Sequence, residues 1–395
     1  MSRNRRLWTA AIFLTVALTG AVLQARGAVL PTLGEVYPVS EAQLGLVAPA
    51  GTVGYLLVVL VVGSGAGHFD ARRLIAVGAL GAGVALVAMG VAPTFLIFVG
   101  AMAVRGAMTG LVRALDRPLL SHFYPGNRGR IYNLYDGTWA VGAAIGPLAV
   151  LGALALGSWR LVYLVLAVLM LALGIVFWRL EAPQVETEEE PLTRERLREL
   201  LGRPEVVAML AALFFVTGVE GGLFTWLPYY ADAELPGGWA EATLTVMLAA
   251  YIPGRIVCGY LASRVGYLTL LVGIVALLVP AFAFTFVVAS GLTVVAGVVV
   301  IGLLVSGVYP TMMAYATDAA PEYSGPVNAL AAAVSSVATG SVPAVMGVVI
   351  DGADAATAMR WLVAPLALAL GVLVVARVAE RRRRGTDASA VTVDD

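Results

Sequence analysis

Long apolar runs alternate with short charged or proline-containing segments along almost the whole chain. A helix needs about 20 apolar residues to cross the hydrocarbon core of a membrane, and twelve runs meet that requirement. We call them spans 1 to 12, and they lie at about 8–30, 43–66, 73–92, 95–121, 131–155, 159–179, 204–230, 241–263, 267–289, 292–316, 325–350 and 358–379. The alternating ten-residue segments of a membrane β-barrel are not part of this pattern. The sequence therefore predicts an all-α polytopic membrane protein.

The composition strengthens this prediction. Of the 395 residues, 60% are hydrophobic and 13% are charged, and the mean hydropathy is +0.90, whereas about 25% of the residues in soluble domains are charged. This excludes a soluble enzyme, a nucleic-acid-binding protein and a secreted disulfide-rich module. The net charge is zero, and the single cysteine, Cys258, has no partner for an internal disulfide.

The arginines predict the orientation, because short basic loops stay in the cytoplasm. If the N-terminus is inside, the outer loops hold only Arg160 and Arg360, and the remaining loop arginines all lie inside. Both termini are then expected in the cytoplasm. The first apolar run is too long for a cleavable signal peptide, so we expect a multi-pass protein of the cell membrane.

The longest hydrophilic stretch divides the chain near its middle. We expect an N-terminal six-helix bundle at 1–179, a cytoplasmic linker at 180–203, a C-terminal six-helix bundle at 204–380 and a cytoplasmic tail at 381–395. Thr193 could cap a short amphipathic helix on the inner membrane surface, although a solvated linker is the simpler interpretation. The polar tail after Arg384 is expected to be disordered.

The two halves match when one is shifted by 196 residues. Pro125 then falls on Pro321, and Pro147 falls on Pro343. A duplication of six helices leaves both copies pointing the same way, related by an axis along the membrane normal. That arrangement suits two bundles that rock about a central site.

The loops after spans 2 and 8 carry a related motif. The loop after span 8, Gly259–Gly266, contains glycine, arginine and glycine, with Ser263 where the motif has an acid. The loop after span 2 keeps the acid and the arginines. With these motifs the chain resembles the major facilitator superfamily over essentially its whole length. In that family the loop latches the cytoplasmic ends of the two halves. The gating residues that this resemblance implies are Asp70, Arg72, Arg73 and Arg264.

Other motifs indicate a branch of the family. Span 7 contains Val219–Gly222 and Trp226–Tyr229, and span 10 contains Gly307–Thr311, which are similar to the sugar:proton symporter branch typified by fucose permease. Span 5 contains a glycine motif, but Asn133 stands where the proton-antiport exporters have an earlier glycine. The resemblance thus favours a symporter over a drug exporter.

Ionisable residues inside the spans are functional candidates, because each costs roughly 2.5–3.5 kcal/mol in a membrane helix. They are Arg26, Arg105, Arg113, Asp116, Arg117, Asp136, Glu220 and Arg255. On a continuous helix, Arg105 and Asp116 would share one stripe about 16 Å apart and line one cavity. In span 5, Tyr132, Tyr135, Asp136 and Trp139 share a face at helical spacing.

These positions give two sets of predicted residues, one for substrate binding and one for proton coupling. A pair of arginines would favour an anionic group, and aromatic rings would stack on a sugar face or an apolar ring. A buried carboxyl group can bind and release a proton as the cavity opens to either side. The predicted substrate-binding residues are Arg26, Arg105, Tyr135, Trp139, Glu220, Trp226 and Tyr251. The predicted proton-coupling residues are Glu220, Asp136 and Asp116.

For several of these residues a structural role is the alternative. Asp116 could form an ion pair with Arg113 and Arg117, Arg255 could reach towards the membrane surface, and the aromatic residues could simply pack. Asp136 remains open between a structural and a coupling role.

The sequence as a whole predicts a secondary active transporter for a sugar, an organic acid or a sugar acid, with proton-coupled symport as the mechanism. The alternatives are proton-driven efflux of amphipathic compounds and a transport-inactive sensor. A channel or an enzyme is disfavoured, since no filter segment or catalytic set of residues is seen. We expect no cofactor, no metal and no nucleic-acid partner, and a monomer in the lipid bilayer.

Overall fold

A computed structural model describes residues 3–64, 70–124, 128–181, 194–235, 239–319 and 324–391. Within these residues every regular element is a helix, and twelve stretches are long and apolar enough to cross a membrane. The predicted fold class is confirmed.

The helices of the first half follow spans 1 to 6. They are α1 (Arg3–Ala28), α2 (Leu30–Val36), α3 (Glu41–Leu44), α4 (Val47–Ser64), α5 (Ala71–Gly90), α6 (Phe95–Arg113), α7 (Asp116–Phe123), α8 (Arg128–Ala155) and α9 (Arg160–Arg179).

The helices of the second half follow the linker and spans 7 to 12. They are α10 (Arg194–Leu201), α11 (Pro204–Glu234), α12 (Ala240–Val265), α13 (Tyr267–Ala283), α14 (Leu292–Val305), α15 (Val308–Ala319), α16 (Ser324–Gly352), α17 (Ala355–Trp361) and α18 (Val363–Val391). A π-helical turn at Phe284–Val288 continues α13.

Short polar residues set several helix starts. The Asp70 carboxylate accepts a hydrogen bond from the Arg73 amide at 3.2 Å and caps α5, and the Thr94 hydroxyl caps α6. Such caps satisfy amides that the first helical turn leaves without partners. They fix the ends of spans 3 and 4 where the hydropathy pattern changes.

Span 4 is not one continuous helix, which corrects the geometry expected for Arg105 and Asp116. α6 ends at Arg113 and α7 begins at Asp116, because the chain tightens there and the Leu115 amide donates to the Val112 carbonyl at 3.1 Å. The expected single stripe from Arg105 to Asp116 is therefore interrupted.

The linker and the tail differ in how well they match the sequence prediction. The amphipathic helix of the linker is present as α10, while Thr193 lies outside the described residues. The expected disorder after Arg384 is wrong as far as Val391, because α18 continues through the arginine run to that residue. Arginine favours helix, which helps the last span to continue through the run at 381–384.

The repeat is visible in the positions of the helices. α5 begins at Ala71 and α13 at Tyr267, 196 residues later, and α8 and α16 begin at Arg128 and Ser324, again 196 apart. Pro147 and Pro343 each lie inside the helix of their pair. The predicted shift thus describes the folded elements as well as the sequence.

The chain forms two compact units. Unit 1 comprises residues 1–191, 221–248 and 339–358, and unit 2 comprises 192–220, 249–338 and 359–395. These bounds differ from the bundles expected at 1–179 and 204–380, because α11, α12 and α16 are long enough to contribute residues to both units. The division into two six-helix bundles remains a prediction.

Glycines bring the helices of unit 1 into backbone contact. α1 packs on α8, α4 packs on α6, and α5 packs on α6 and α9. A Cβ atom at Gly142 would overlap the carbonyl oxygen of Ala17, and one at Gly106 would overlap that of Gly51. Small residues allow membrane helices to approach in this way.

Unit 2 has its own centre of packing. There α13 contacts α14, α15 and α18. Gly254 of α12 lies so close to Leu303 that an added Cβ atom would overlap its carbonyl oxygen. Tight helix contacts therefore occur within each unit.

Candidate functional site

Three groups of polar side chains lie inside the membrane spans. We call them the arginine pair (Arg26 and Arg105), the ion-pair network (Arg113, Asp116, Arg117, Tyr135 and Asp136) and the Glu220 group (Glu220, Tyr251 and Arg255). The first two groups belong to unit 1, and the third belongs to unit 2.

The arginine pair is deeply buried in unit 1. Arg26 of α1 is 3% exposed and Arg105 of α6 is 6% exposed, and their like charges lie close enough to repel each other. One nitrogen of Arg26 donates to the Ala48 carbonyl at 3.4 Å. Within the described residues neither arginine forms a salt bridge, and neither Nε atom has a hydrogen-bond partner.

The helices leave room for these long side chains by means of a glycine. A Cβ atom at Gly51 of α4 would lie 3.0 Å from Nη2 of Arg105. Gly106, which follows Arg105 in α6, lies against the backbone of Gly51, so that α6 and α4 touch at the same level. Arg105 is thus held at a close helix crossing.

Tyr163 of α9 completes the surroundings of the arginine pair. Its ring is fully buried and meets Phe98 and Trp159 edge to face at 5.6 and 6.0 Å between ring centroids. Its hydroxyl lies within electrostatic range of both guanidinium groups and has no hydrogen-bond partner among the described residues. Tyr163 is not among the residues predicted from the sequence, because it is an uncharged aromatic residue within an apolar span.

Gln24 is a second candidate that is not among the residues predicted from the sequence. It is fully buried on α1, and both its amide oxygen and its amide nitrogen have no partner within the described part of the chain. A buried amide without partners costs free energy unless a ligand or water satisfies it. Its signal in the sequence was a polar residue inside a membrane span.

The ion-pair network joins the end of span 4 to span 5. Arg117 binds Asp136 at 2.7 Å, and Arg113 lies 3.5 Å from Asp116. Arg113 donates to the hydroxyl of Tyr135, and that hydroxyl donates to Asp116. Each carboxylate therefore has an arginine partner, which favours the structural alternative for Asp116.

The network also shows where the aromatic face of span 5 lies. The Arg117 guanidinium lies over the rings of Tyr132 and Tyr135, at 5.8 and 5.1 Å from their centroids. Trp139 is partly exposed, and its carbonyl packs on Gly20 of α1. Tyr132, Tyr135 and Asp136 of the predicted face thus lie together around Arg117. The hydroxyl of Tyr135 is hydrogen-bonded within the ion-pair network.

The Glu220 group lies within unit 2. The hydroxyl of Tyr251 donates to Oε1 of Glu220 at 2.8 Å. Arg255 lies within electrostatic range of Glu220, and its guanidinium is 5.9 Å from the centroid of the Tyr251 ring. Within the described residues Glu220 forms no salt bridge, so its carboxyl group has a neutral hydrogen-bond donor and a nearby cation.

Trp226 and Tyr229 lie in unit 1, on the continuation of α11. Trp226 is fully buried and donates from Nε1 to the Pro343 carbonyl at 2.8 Å. The hydroxyl of Tyr229 donates to Glu41 at 3.0 Å. With its nitrogen already bonded to backbone, Trp226 fits the packing alternative better than substrate binding.

The predicted gating residues contact neighbours on their own helices and, in one case, the end of α9. Asp70 pairs with Nε of Arg73 at 3.2 Å, Arg72 donates to the Leu180 carbonyl at 3.4 Å, and Arg264 lies over the Tyr260 ring at 4.3 Å. The preceding loop residues 65–69 lie outside the described part of the chain. A gating role for these residues remains a prediction.

Among the described residues, no three His, Cys, Asp or Glu side chains lie together in a way that could hold a metal ion.

Comparison with known proteins gives a family match. A family model described as the Major Facilitator Superfamily matches residues 12–343 and, in a second match, residues 237–392.

Curated relatives match at lower coverage. The chain is 24% identical over 246 residues to a protein TsgA homolog of Erwinia tasmaniensis, covering 61% of each chain. It is also 24% identical over 232 residues to a TsgA homolog of Edwardsiella ictaluri, covering 58% of each. The match thus spans about three fifths of the length of these relatives.

Solved structures share the fold. A bacterial homolog of the human lysosomal transporter Spinster, in an inward-facing and unoccupied conformation, has a TM-score of 0.76 at 16% identity and covers 95% of this chain and 96% of its own. The transporter FucP, in an outward conformation, has a TM-score of 0.62 at 18% identity and covers 93% and 97%. At these identities the likeness concerns the fold alone.

Proposed function

The chain belongs to the major facilitator superfamily, and from that premise we propose that it moves a small polar solute across the cell membrane by alternating access, coupled to protons. The family and the transporter fold of its structural neighbours indicate a transporter rather than an enzyme. The preferred solute is a sugar, an organic acid or a sugar acid, and the preferred direction is uptake. FucP is a transporter and the other solved neighbour is a bacterial homolog of the human lysosomal transporter Spinster, which supports the general activity.

The observation that carries this proposal is the arginine pair. Charged side chains inside membrane spans face a bundle interior or an aqueous cavity and mark the paths of solutes or ions. Arg26 and Arg105 are both buried and without a carboxylate partner among the described residues. Two such charges on different helices of one unit are expected where a polar solute passes.

Glu220 is our candidate for the proton. Its carboxyl group accepts one hydrogen bond from Tyr251 and leaves further acceptor positions. Protonation of Glu220 would remove a negative charge that otherwise has to be carried through the closed intermediate, so the proton and the conformational change become coupled. Arg255 would stabilise the deprotonated form until the solute and the proton are both bound.

Asp116 and Asp136 are weaker candidates for this step. Each is already bound to an arginine, at 3.5 and 2.7 Å. A proton arriving at either would have to break an ion pair, whereas Glu220 would exchange a proton without losing a salt bridge. We therefore assign the ion-pair network a structural role at the junction of α6, α7 and α8.

Transport into proteoliposomes tests the proposal. The full chain is reconstituted, the outside is made more acidic than the inside, and the uptake of labelled D-glucose and D-glucuronate is followed. We expect one of them to accumulate above its external concentration and the gradient to collapse when a protonophore is added. Empty liposomes are the control, and uptake that ignores the proton gradient contradicts proton coupling.

Efflux of amphipathic compounds is the competing function. In the same liposomes, proton-driven movement of labelled tetraphenylphosphonium with no movement of either hexose would establish efflux instead. If binding is measurable but nothing moves, the chain is a sensor rather than a carrier.

A further inference from the structure

We propose that the arginine pair and the hydroxyl of Tyr163 together bind an oxyanion, the carboxylate or phosphate group of the transported solute. This inference names the solute class and rests on the proposed transport function for its biological meaning. The binding site itself belongs wholly to unit 1, on α1, α6 and α9.

The first argument is the uncompensated charge. Removing an ion from water costs several kcal/mol even after the protein relaxes, and a buried charge is retained when a counter-charge offsets that cost. Here two guanidinium groups are buried at 3% and 6% exposure and repel each other. An anion placed between them removes the repulsion and supplies the missing counter-charge.

The second argument is that four acids of unit 1 have partners of their own. Asp116 and Asp136 bind Arg113 and Arg117, and Glu41 accepts a hydrogen bond from Tyr229. Asp70 pairs with Arg73. These four carboxylates therefore do not neutralise the arginine pair, and among the described residues no carboxylate forms a salt bridge with either arginine. We take the counter-charge to be supplied by a bound anion.

The third argument is the set of donors that remains. Both Nε atoms and the Tyr163 hydroxyl have no hydrogen-bond partner among the described residues. Guanidinium groups present N–H donors in a planar fork that matches a carboxylate or a phosphate. A tyrosine hydroxyl adds one more donor to an anion.

The surroundings of these donors hold them in place. The Ala48 carbonyl accepts from Arg26 at 3.4 Å, and Gly51 leaves the space that Arg105 fills. Phe98 and Trp159 pack edge to face on the Tyr163 ring. The donors are thus fixed by packing before a ligand arrives.

A set of hexoses that differ at a single carbon tests this inference. Binding of D-glucose, D-glucuronate and D-glucose 6-phosphate to the purified full chain is measured by titration calorimetry, with acetate and inorganic phosphate as simple anions. We expect at least one anion to bind, and the charged hexose to bind about 10-fold or more tightly than D-glucose, since hydrogen bonds to charged groups are worth roughly 1.5–3 kcal/mol.

Substitutions then locate the site. Arg26→Gln and Arg105→Gln should each weaken anion binding by about 10-fold to 100-fold while changing D-glucose binding by less than about 3-fold. Tyr163→Phe should weaken it to a smaller degree. Arg179→Gln is the matched control, because it removes one positive charge from the exposed end of the same helix that carries Tyr163 and should leave the anion affinity unchanged.

Arg26→Lys and Arg105→Lys cover the case in which the glutamine variants do not fold. They keep the charge and lose the fork, so they should retain part of the affinity. Anion binding that is insensitive to all of these substitutions, or no anion binding at all, would overturn the inference.

The outcome is separable from that of the proposed function. Arginine-dependent anion binding without transport would leave the site standing and remove the carrier. Proton-driven transport of D-glucose with no preference for the charged hexoses would leave the carrier and remove the anion site. Preference for the carboxylate over the phosphate, or the reverse, identifies which oxyanion the solute bears.

Discussion

At the scale of single residues, the meaning of a membrane-buried charge depends on its partners. Arg113 has a carboxylate and a tyrosine hydroxyl around it, whereas Arg105 has another arginine and the hydroxyl of Tyr163 nearby. The first arrangement is neutralised within the protein and stabilises a helix junction. The second leaves positive charge that we propose a bound anion neutralises. Glu220 in unit 2 likewise forms no salt bridge among the described residues.

Substitution of Glu220 tests the proton step at this scale. Glu220→Gln keeps the size of the side chain and still accepts the hydrogen bond of Tyr251, but it cannot carry a proton. We expect proton-driven accumulation to be lost, with exchange of unlabelled for labelled solute partly kept. Both rates are measured in proteoliposomes with and without an imposed pH gradient.

Asp136→Asn serves as the comparison variant, because Asp136 also lies in a membrane span but is paired with Arg117. We expect it to keep accumulation. If Glu220→Gln accumulates solute as well as the unmodified chain does, Glu220 has no part in coupling.

The sequence was informative about the charges and much less so about neutral residues. Arg26, Arg105 and Glu220 stand out because a charge in an apolar span is costly. Tyr163 could not be found that way, since a tyrosine among valines and leucines fits ordinary packing. Trp226 and Tyr135 are predicted to bind solute, and coordinates alone reveal the hydrogen bonds that occupy their polar atoms. Solute binding by their rings stays a prediction.

At the scale of helices, backbone contact decides which glycines matter. α8 carries several, and they differ in surroundings. Gly142 lies against the backbone of Ala17 in α1, whereas Gly152 has nothing within 4 Å of the place where a Cβ atom would be. The same residue type on the same helix is thus a packing requirement at one position and free of any close neighbour at the other.

Alanine substitutions at these two glycines should therefore have opposite effects. Gly142→Ala should lower the free energy of unfolding by about 1–3 kcal/mol, because α1 and α8 have to separate to admit the methyl group. Gly152→Ala should leave it unchanged or raise it by up to about 1 kcal/mol, since alanine favours helix over glycine. Thermal unfolding of each variant in the same detergent measures both.

Equal losses at the two positions would show that the close contact of α1 and α8 does not control stability. The measurement needs no substrate, so it is independent of the transport proposals.

The helices themselves were the most predictable part of the molecule. Hydropathy located all twelve spans, because each crossing needs a minimum length of apolar sequence. It did not locate the interruption at 114–115 or the extension of α18 to Val391. Hydropathy reports composition. The interruption depends instead on the backbone hydrogen-bond pattern, and the extension depends on helix propensity.

At the scale of the whole molecule, the duplication and the arginine distribution together predict the side of the membrane on which the N-terminus and the linker lie. Helices 196 residues apart in the two halves correspond. An even number of spans before the linker then puts the N-terminus and the linker on the same side. The positive-inside rule predicts that this side is the cytoplasm.

Reporter fusions test this assignment in cells. Alkaline phosphatase fused after Gly157, between α8 and α9, should be active, and a fluorescent protein fused after Leu180 should fluoresce. The two reporters exchanged between the sites should both be silent. The reverse pattern would invert the orientation, and activity of the same reporter at both sites would contradict a crossing by α9.

The close approach of Gly51 and Gly106 has a thermodynamic consequence for Arg105, the neighbour of Gly106. α4 and α6 meet there backbone to backbone, so the guanidinium is carried at a stiff point of its unit rather than on a mobile loop. A ligand meeting a side chain that is already ordered sacrifices little conformational entropy. Loosening that crossing with a bulkier residue would weaken binding through disorder, even with every donor still in the chain.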